Sequence, residues 1–230
     1  MRSNARSLRD IILQACPELE GNNISDYSKV CTLRNWAASV IDVADYDLLL
    51  DIRLKDWYTL SAYQIYQLFN NNEGGVWCAG AAVFLKRVFE EFGFEAYYWD
   101  YGHVLAFTHA ITLVNVKYNA KKILVIQDAF TNTTYESPEG KALDFFTMLH
   151  LLKERRDSEI RIVEPAQPLW RDCHRLVGKN QKITKRLEFT LETFFLDRPW
   201  IIPASYDFLK KRGLPANFIY LHLFPLASSR

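Results

Sequence analysis

The stretch NNNEGGVWCAGAAVFLKRVFEEFGF, Asn70 to Phe94, contains the best-defined element of the sequence. Polar residues and two glycines run directly into Cys78, where an amphipathic helix is predicted to begin. Its apolar side chains recur at helical spacing and form one stripe: Ala81, Ala82, Leu85, Val88, Phe89 and Phe92. Gly93 follows where a left-handed C-terminal cap belongs. Because Cys78 precedes Ala82 by four residues and Leu85 by seven, the thiol is expected on the buried side of this helix.

Short helices are predicted before this stretch, and mostly strands after it. The predicted helices before it span 7–15, 33–50 and 61–69. The segments after it are strands over 94–100, 103–116, 122–130, 134–135 and 160–163, with one helix over 143–153. This order predicts an α+β fold in which N-terminal helices pack on an antiparallel sheet. We expect residues 1–150 to form the core domain and residues 151–230 a C-terminal extension that can pack on it.

The composition is that of a folded chain with a sizeable core. Of its 230 residues, 49% are hydrophobic and 14% aromatic, which argues against disorder. A net charge of +1 gives no reason to expect a nucleic-acid partner or an anionic membrane surface. No apolar run reaches the roughly 18–20 residues of a membrane span, and the N-terminus lacks the apolar core of a signal peptide. These features predict a cytoplasmic protein without a membrane span.

The four cysteines, Cys16, Cys31, Cys78 and Cys173, have no C-x-x-C spacing. Two disulfides are conceivable, but free thiols are the expected state of a chain without a secretion signal. The sequence also contains no calcium-loop pattern and no paired C-x-x-C zinc site. We therefore expect neither a metal ion nor a cofactor.

Two polar residues interrupt the apolar strands that follow the helix. If residues 117–120 form a four-residue hairpin loop, Val116 faces Lys121. The same register places His109 directly opposite Asp128, on one face of the sheet. A carboxylate there accepts a hydrogen bond from one imidazole nitrogen, fixes the tautomer and leaves the other nitrogen free. The pair is either half of a catalytic site or a buried polar pair that satisfies its own hydrogen bonds.

Cys78 also has two interpretations. The partial positive charge and unpaired N–H groups of a helix N-terminus stabilise a thiolate, and a nearby imidazolium lowers the pKa of the thiol further. The same N–H groups can point at an oxyanion, and the side chain of Gln64 or Gln67 is a weaker candidate for a second donor. The alternative is that Cys78 is a small core residue packed against the sheet.

The residues that carry this chemistry resemble the transglutaminase-like superfamily. The strings GGVWCAGAAVFLKRVFEEFGF, THAITLV and VIQDAF, all between Gly74 and Tyr135, are similar to its core. That core has a Cys at the start of a helix, a Gly at its end, a strand bearing His-Ala and a strand bearing Asp. The resemblance implies a transglutaminase-like, papain-like core with Cys78, His109 and Asp128 as catalytic residues. Their spacings of 31 and 19 residues suit this superfamily, whereas papain-like proteases place the His about 130–150 residues after the Cys.

The resemblance implies thiol-dependent acyl transfer, namely hydrolysis, deamidation or transamidation of an amide or peptide bond in a protein, peptide or small amide substrate. Candidate substrate contacts are Gly75, which lets the backbone approach closely, Trp77 beside the thiol, and His103 on the strand of His109. One alternative is a catalytically silent transglutaminase-like domain used for binding or scaffolding. Another is an arylamine N-acetyltransferase-like acyltransferase, in which the Cys normally follows a single residue after Gly-Gly; here Val76 and Trp77 intervene.

Overall fold

The structure is a computed structural model that describes residues 7–21, 23–41, 60–71, 76, 78–102, 108–154 and 156–163. The helices within these ranges are α1 (Leu8–Ala15), α2 (Asp26–Val40), α3 (Ala62–Asn70), α4 (Cys78–Glu91) and α5 (Phe145–Lys153). The strands are β1 (Ala96–Gly102), β2 (Thr108–Tyr118), β3 (Lys121–Asp128), β4 (Thr133–Glu136) and β5 (Arg161–Val163). Two short 3₁₀ turns cover Pro17–Glu20 and Asp157–Glu159.

The five strands form one antiparallel sheet in chain order, β1-β2-β3-β4-β5. Because alternate residues of a strand point to opposite faces, the sheet carries two apolar clusters. One cluster packs with helices α1 to α4, and the other packs with α5. Helix α4 lies against β1 and β2, and α2 packs on α4. The fold is therefore α+β, with the N-terminal helices on an antiparallel sheet as predicted.

The helix ends follow the capping chemistry of their sequences. Ser7 and Ser61 each accept a hydrogen bond from the backbone three residues ahead and complete a capping box. Asp144 caps α5 and also accepts a hydrogen bond from the backbone N–H of Leu124 at 3.0 Å, which joins α5 to β3. Gly93, after the end of α4, has φ of 81°, the left-handed conformation predicted for it.

The hairpin between β2 and β3 is tighter than the sequence predicted. Tyr118 pairs with Lys121, so the loop consists only of Asn119 and Ala120, which have φ of 48° and 63°. Two consecutive left-handed residues form a two-residue type I′ turn, whose twist matches that of the flanking strands. The predicted four-residue loop is therefore wrong, and every cross-strand pair is shifted by two residues. Ala120 gave no signal for this turn, because a residue with a Cβ rarely adopts positive φ.

Two other boundaries need comment. Helix α2 begins at Asp26 and not at residue 33, because Ser25 caps it. The rest of that predicted helix, from residue 42 on, lies outside the described residues. The predicted boundary at residue 150 falls within helix α5, and strand β5 lies beyond it. Residues 164–230 also lie outside the described ranges, so the division into a core and a C-terminal extension stays a prediction.

Within the described ranges, no helix is both long and apolar enough to cross a membrane. Cys16, Cys31 and Cys78 are free thiols, as expected. The fourth cysteine, Cys173, lies outside the described residues.

Candidate active site

His109 and Asp128 are hydrogen-bonded, with His109 Nε2 2.7 Å from Asp128 Oδ2. Both side chains are buried. They are not directly opposed, as the predicted register would have it. The observed pairing of Thr112 with Gln127, continued by one residue, places Asp128 opposite Ile111. His109 lies two residues further along the same strand, so the two side chains share a face as diagonal neighbours.

A tight turn after β3 fixes the Asp128 carboxylate. Its Oδ1 accepts hydrogen bonds from the backbone N–H groups of Phe130 at 2.8 Å and Thr131 at 3.1 Å. Its Oδ2 accepts from the Thr131 hydroxyl as well as from His109. Asn132 completes the turn in the left-handed region, with φ of 53°. The carboxylate thus has four donors, which is the environment that a buried anion requires.

Cys78 lies at the other side of the imidazole. It is the first residue of α4 and is half-buried. It lies close enough to His109 to be among the groups that raise the pKa of that imidazole, while Asp128 engages Nε2. The structure therefore brings together the three residues that the sequence singled out, in the order carboxylate, imidazole, thiol.

Two buried contacts set the position of α4 relative to the strand that carries His109. The Thr112 hydroxyl donates a hydrogen bond of 2.9 Å to the backbone oxygen of Ala82, one turn into the helix from Cys78. At the start of α4, Val76 packs on Gly80 so closely that a Cβ at residue 80 would lie 2.5 Å from a Val76 methyl carbon. Only glycine allows this approach. Gly80 therefore lets the preceding chain pass directly over the first turn of the helix, next to Cys78.

The titration properties of the pair follow from burial and mutual charge. Burial alone would lower the pKa of His109, but the charge and hydrogen bond of Asp128, with smaller contributions from Cys78, raise it to about 10. Burial alone would raise the pKa of Asp128, but the imidazolium charge and the hydrogen bonds of His109 and Thr131 lower it. The pair therefore favours an imidazolium beside a carboxylate.

Three predicted substrate contacts fall in segments that the structure does not describe. Gly75, Trp77 and His103 lie outside the described residues. Gln64, considered as an oxyanion donor, instead caps its own helix by accepting hydrogen bonds from Ser61. Across the part of the chain that the structure describes, no group of three or more His, Cys, Asp or Glu side chains is arranged to hold a metal ion.

Sequence reasoning missed the polar side chains that support Asp128 from α2. Arg34 is buried and donates hydrogen bonds to Asn132 Oδ1 and to Gln127 Oε1, each at 3.0 Å. A weak signal exists in the sequence: the buried positions 27, 30, 34 and 37 of α2 recur at helical spacing, and arginine occupies one of them. Nothing in the sequence indicates which groups it meets.

The arrangement suits nucleophilic catalysis by a thiol. The imidazole can take the proton of the thiol, and the N–H groups in the first turn of α4 are available to an oxyanion. No protein-family model, curated protein or solved structure matches this chain. The arrangement of these residues is therefore the basis for a function.

Proposed function

We propose that this chain is a thiol-dependent acyl-transfer enzyme that acts on an amide or peptide bond. The observation that carries the proposal is the buried hydrogen bond between Asp128 and His109, with Cys78 acting on the same imidazole from the first residue of a 14-residue helix. A thiol that only filled space would need neither a buried imidazole beside it nor a carboxylate with four donors behind that imidazole.

In the proposed reaction, His109 takes the proton of the Cys78 thiol, or already holds it as an imidazolium paired with the thiolate, and the thiolate attacks the carbonyl carbon of the substrate. The oxyanion that forms is stabilised by backbone N–H groups at the start of α4. The imidazolium then gives its proton to the leaving amine as the C–N bond breaks, which leaves a thioester on Cys78. Asp128 keeps the ring oriented and stabilises its charged form.

A second acceptor resolves the thioester. His109 takes a proton from water or from an amine, which attacks the acyl carbon and releases the Cys78 thiol. Water gives proteolysis or deamidation, and an amine gives transamidation. We favour hydrolysis, because water is the default acceptor. His109 and Asp128 are buried and Cys78 is half-buried, so the substrate reaches these residues from the side of the thiol.

The likeness to the transglutaminase-like superfamily belongs to the same proposal. It is supported by a helix that starts on a cysteine, by the left-handed Gly93 after that helix, and by antiparallel strands that carry His109 and Asp128. Ala79 stands where some members of that superfamily have an aromatic residue, and Ala129 stands where many have a proline. These two differences concern the oxyanion site and the choice of subfamily. They leave the three reacting groups, Cys78, His109 and Asp128, in place.

The test is the pH dependence of iodoacetamide alkylation with each cysteine mapped by mass spectrometry. The variant His109→Ala removes the proposed base, and His150→Ala, at an exposed histidine, is the matched control. Cys16 and Cys31 are internal references, because burial raises the pKa of both thiols. We expect Cys78 to react fast below pH 7 in the wild type and in His150→Ala, and to lose this reactivity in His109→Ala.

Slow alkylation of Cys78 would favour the alternative of a catalytically silent domain used for binding or scaffolding. If Cys78 of the wild type is alkylated no faster below pH 7 than the two reference thiols, no thiolate–imidazolium pair exists and the proposal fails. If the pair exists, peptide amides with and without an added primary amine separate hydrolysis from transamidation. Acetyl transfer to an arylamine that depends on acetyl-CoA would redirect the proposal to the acetyltransferase-like alternative.

A further inference from the structure

We propose that Arg34 is the positioning residue of the candidate site, holding both ends of the turn that presents Asp128 to His109. This inference rests on the proposed function, because it gives Arg34 a role in orienting a group of that reaction. Arg34 does not touch the reacting atoms; it acts through the side-chain amides of Gln127 and Asn132, which lie on either side of Asp128 in the chain.

Burial of the Arg34 guanidinium carries a free-energy cost. Arg34 lies near the middle of α2 and is only 2% exposed. A buried guanidinium is expensive unless it is paired and hydrogen-bonded. Yet Arg34 forms no ion pair with any carboxylate among the described residues. Its partners are three amide oxygens: Asn132 Oδ1 and Gln127 Oε1, each at 3.0 Å, and Asn35 Oδ1 at 2.9 Å. A charge placed in this way is costly for stability alone, which calls for another reason for its presence.

Two of the three partners of Arg34 flank Asp128 in the chain. Gln127 immediately precedes Asp128, and Asn132 ends the turn whose backbone N–H groups bind the carboxylate. Neighbouring strand residues point to opposite faces, so Gln127 faces α2 while Asp128 faces His109. The planar fork of the guanidinium spans the turn from one end to the other, a geometry that a lysine ammonium cannot reproduce.

Asn132 is itself held for this contact, because its Nδ2 is buried and has no hydrogen-bond partner within the described ranges. Turning the amide over would point its NH₂ group at the Arg34 Nε–H, donor against donor. The hydrogen bond to Arg34 therefore fixes the amide orientation even though one polar group stays unsatisfied, which is a costly arrangement. Asn132 is thus held for its contact with Arg34, at a backbone conformation that asparagine tolerates better than most residues.

Arg34 also balances the charge of the candidate site. A Cys78 thiolate, a His109 imidazolium and an Asp128 carboxylate together carry one net negative charge. Four other titratable groups act on this region. Cys31 and Tyr27 lie near Arg34, and burial raises the pKa of both so that they stay neutral near pH 7. Glu136 is paired with Arg161. Arg34 is then the buried cation that compensates the remaining charge, and Asp128 is among the groups that interact with it electrostatically.

The experiment follows the pKa of His109 by NMR of its ring protons in four single variants. Asn132→Gly removes one of the two contacts between Arg34 and the turn, and glycine accepts the positive φ of this position. Arg34→Lys keeps the charge but loses the fork. Asp128→Asn is the reference for a lost carboxylate. Asn35→Ala is the matched control, because it removes an acceptor of Arg34 that is not part of the turn. Thermal unfolding of each variant reports folding separately.

We expect the His109 pKa to fall by about one pH unit or more in Asn132→Gly and Arg34→Lys, in the direction of Asp128→Asn, and to stay at the wild-type value in Asn35→Ala. In the double variant Asn132→Gly/Asp128→Asn, the pKa should equal that of Asp128→Asn alone, because both changes act through the same carboxylate. A purely structural role would lower the unfolding temperature without this pattern. The inference is overturned if Asn132→Gly and Arg34→Lys titrate like the wild type, if Asn35→Ala shifts the pKa equally, or if the double variant is additive.

This readout separates the inference from the proposed function, because the imidazole–carboxylate pair titrates whether or not the thiol reacts. Suppose that Cys78 is alkylated slowly, but the His109 pKa changes when the contacts of Arg34 with the turn are removed. The proposed reaction is then wrong, and the role of Arg34 is supported. Suppose instead that Cys78 reacts fast only when His109 is present, and the His109 pKa is unchanged when the contacts of Arg34 with the turn are removed. The proposed reaction is then supported, and the role of Arg34 is wrong.

Discussion

Two histidine–carboxylate pairs occur in the described part of the chain, and they differ chiefly in burial. His109 Nε2 lies 2.7 Å from Asp128 Oδ2, with side chains 6% and 4% exposed. His150 Nε2 lies 3.2 Å from Glu154 Oε1 on the surface of α5, with side chains 62% and 41% exposed. Both pairs consist of an imidazole and a carboxylate, so comparing them shows how burial changes the stability and protonation of such a pair.

In the exposed pair, water solvates each partner when the other is absent, and such pairs contribute about 0–1 kcal/mol. In the buried pair, each partner depends on the other, because an uncompensated charge in the interior is costly. The buried carboxylate also has three donors from its own turn. The difference teaches that the interior converts an ordinary pair into one whose protonation state is fixed by the fold.

The largest expected effect is on stability. Asp128→Ala removes the acceptor of four hydrogen bonds and leaves His109 buried without its partner, so it should lower the free energy of unfolding by about 3–5 kcal/mol. Glu154→Ala, the matched change in the exposed pair, should cost less than about 0.5–1 kcal/mol. Urea unfolding at pH 7 measures both. Equal losses for the two variants would show that burial does not distinguish the pairs.

The second effect is on the pH dependence of stability. The pKa of His109 is raised to about 10 in the folded chain, above the value of about 6.5 in an unfolded one. Its stabilisation is therefore complete below about pH 6.5 and is lost as the pH rises towards 10. In that window the unfolded chain has released a proton that the folded chain keeps, so stability should fall by about 1 kcal/mol per pH unit.

His109→Gln should flatten this slope between pH 7 and 9, and His150→Gln should leave it unchanged, because the exposed ring is screened by water. Urea unfolding at several pH values gives the slopes. A slope that persists in His109→Gln would assign the proton to another group and remove the buried pair from the explanation.

Sequence patterns identified the groups of the buried pair but not their exact placement. Apolar periodicity defined α4 and placed Cys78 at its start, because the stripe and the terminal Gly93 are local features. The parity of the β2–β3 register was right, and parity alone decides that His109 and Asp128 share a face. The shift of two residues escaped prediction, because the type I′ turn uses Asn119 and Ala120 without the glycine that usually signals it.

The support behind the carboxylate had no local signature at all. The contact between Arg34 and Gln127 joins residues 93 positions apart in the chain, so it depends on how α2 packs against the sheet. The close approach of Val76 to Gly80 likewise follows from the path of the chain into α4. Local propensity identifies elements, whereas these contacts arise only when the elements are assembled.

The smallest of the three effects concerns one hydroxyl. Thr131 donates to Asp128 Oδ2 and shares a hydrogen bond with the Thr133 hydroxyl. Thr131→Val keeps the shape of the side chain but removes this donor, and should cost about 1 kcal/mol at pH 7. Thr147→Val, at an exposed position of α5, is the matched control and should change stability by less than about 0.5 kcal/mol.

The pH dependence of this loss decides whether the hydroxyl acts through the carboxylate. The pKa of Asp128 is lowered in the folded chain, partly by Thr131, so the stabilisation is present above the unfolded value of about 3.9 and is lost as the pH falls through the folded value. Thr131→Val raises the folded pKa, and the difference from the wild type should therefore be largest near neutral pH and shrink in acid. A difference that stays constant down to pH 2 would mean that the hydroxyl contributes by packing alone. The buried pair would then owe its protonation state to His109 and the backbone of the turn, without help from the side chain of Thr131.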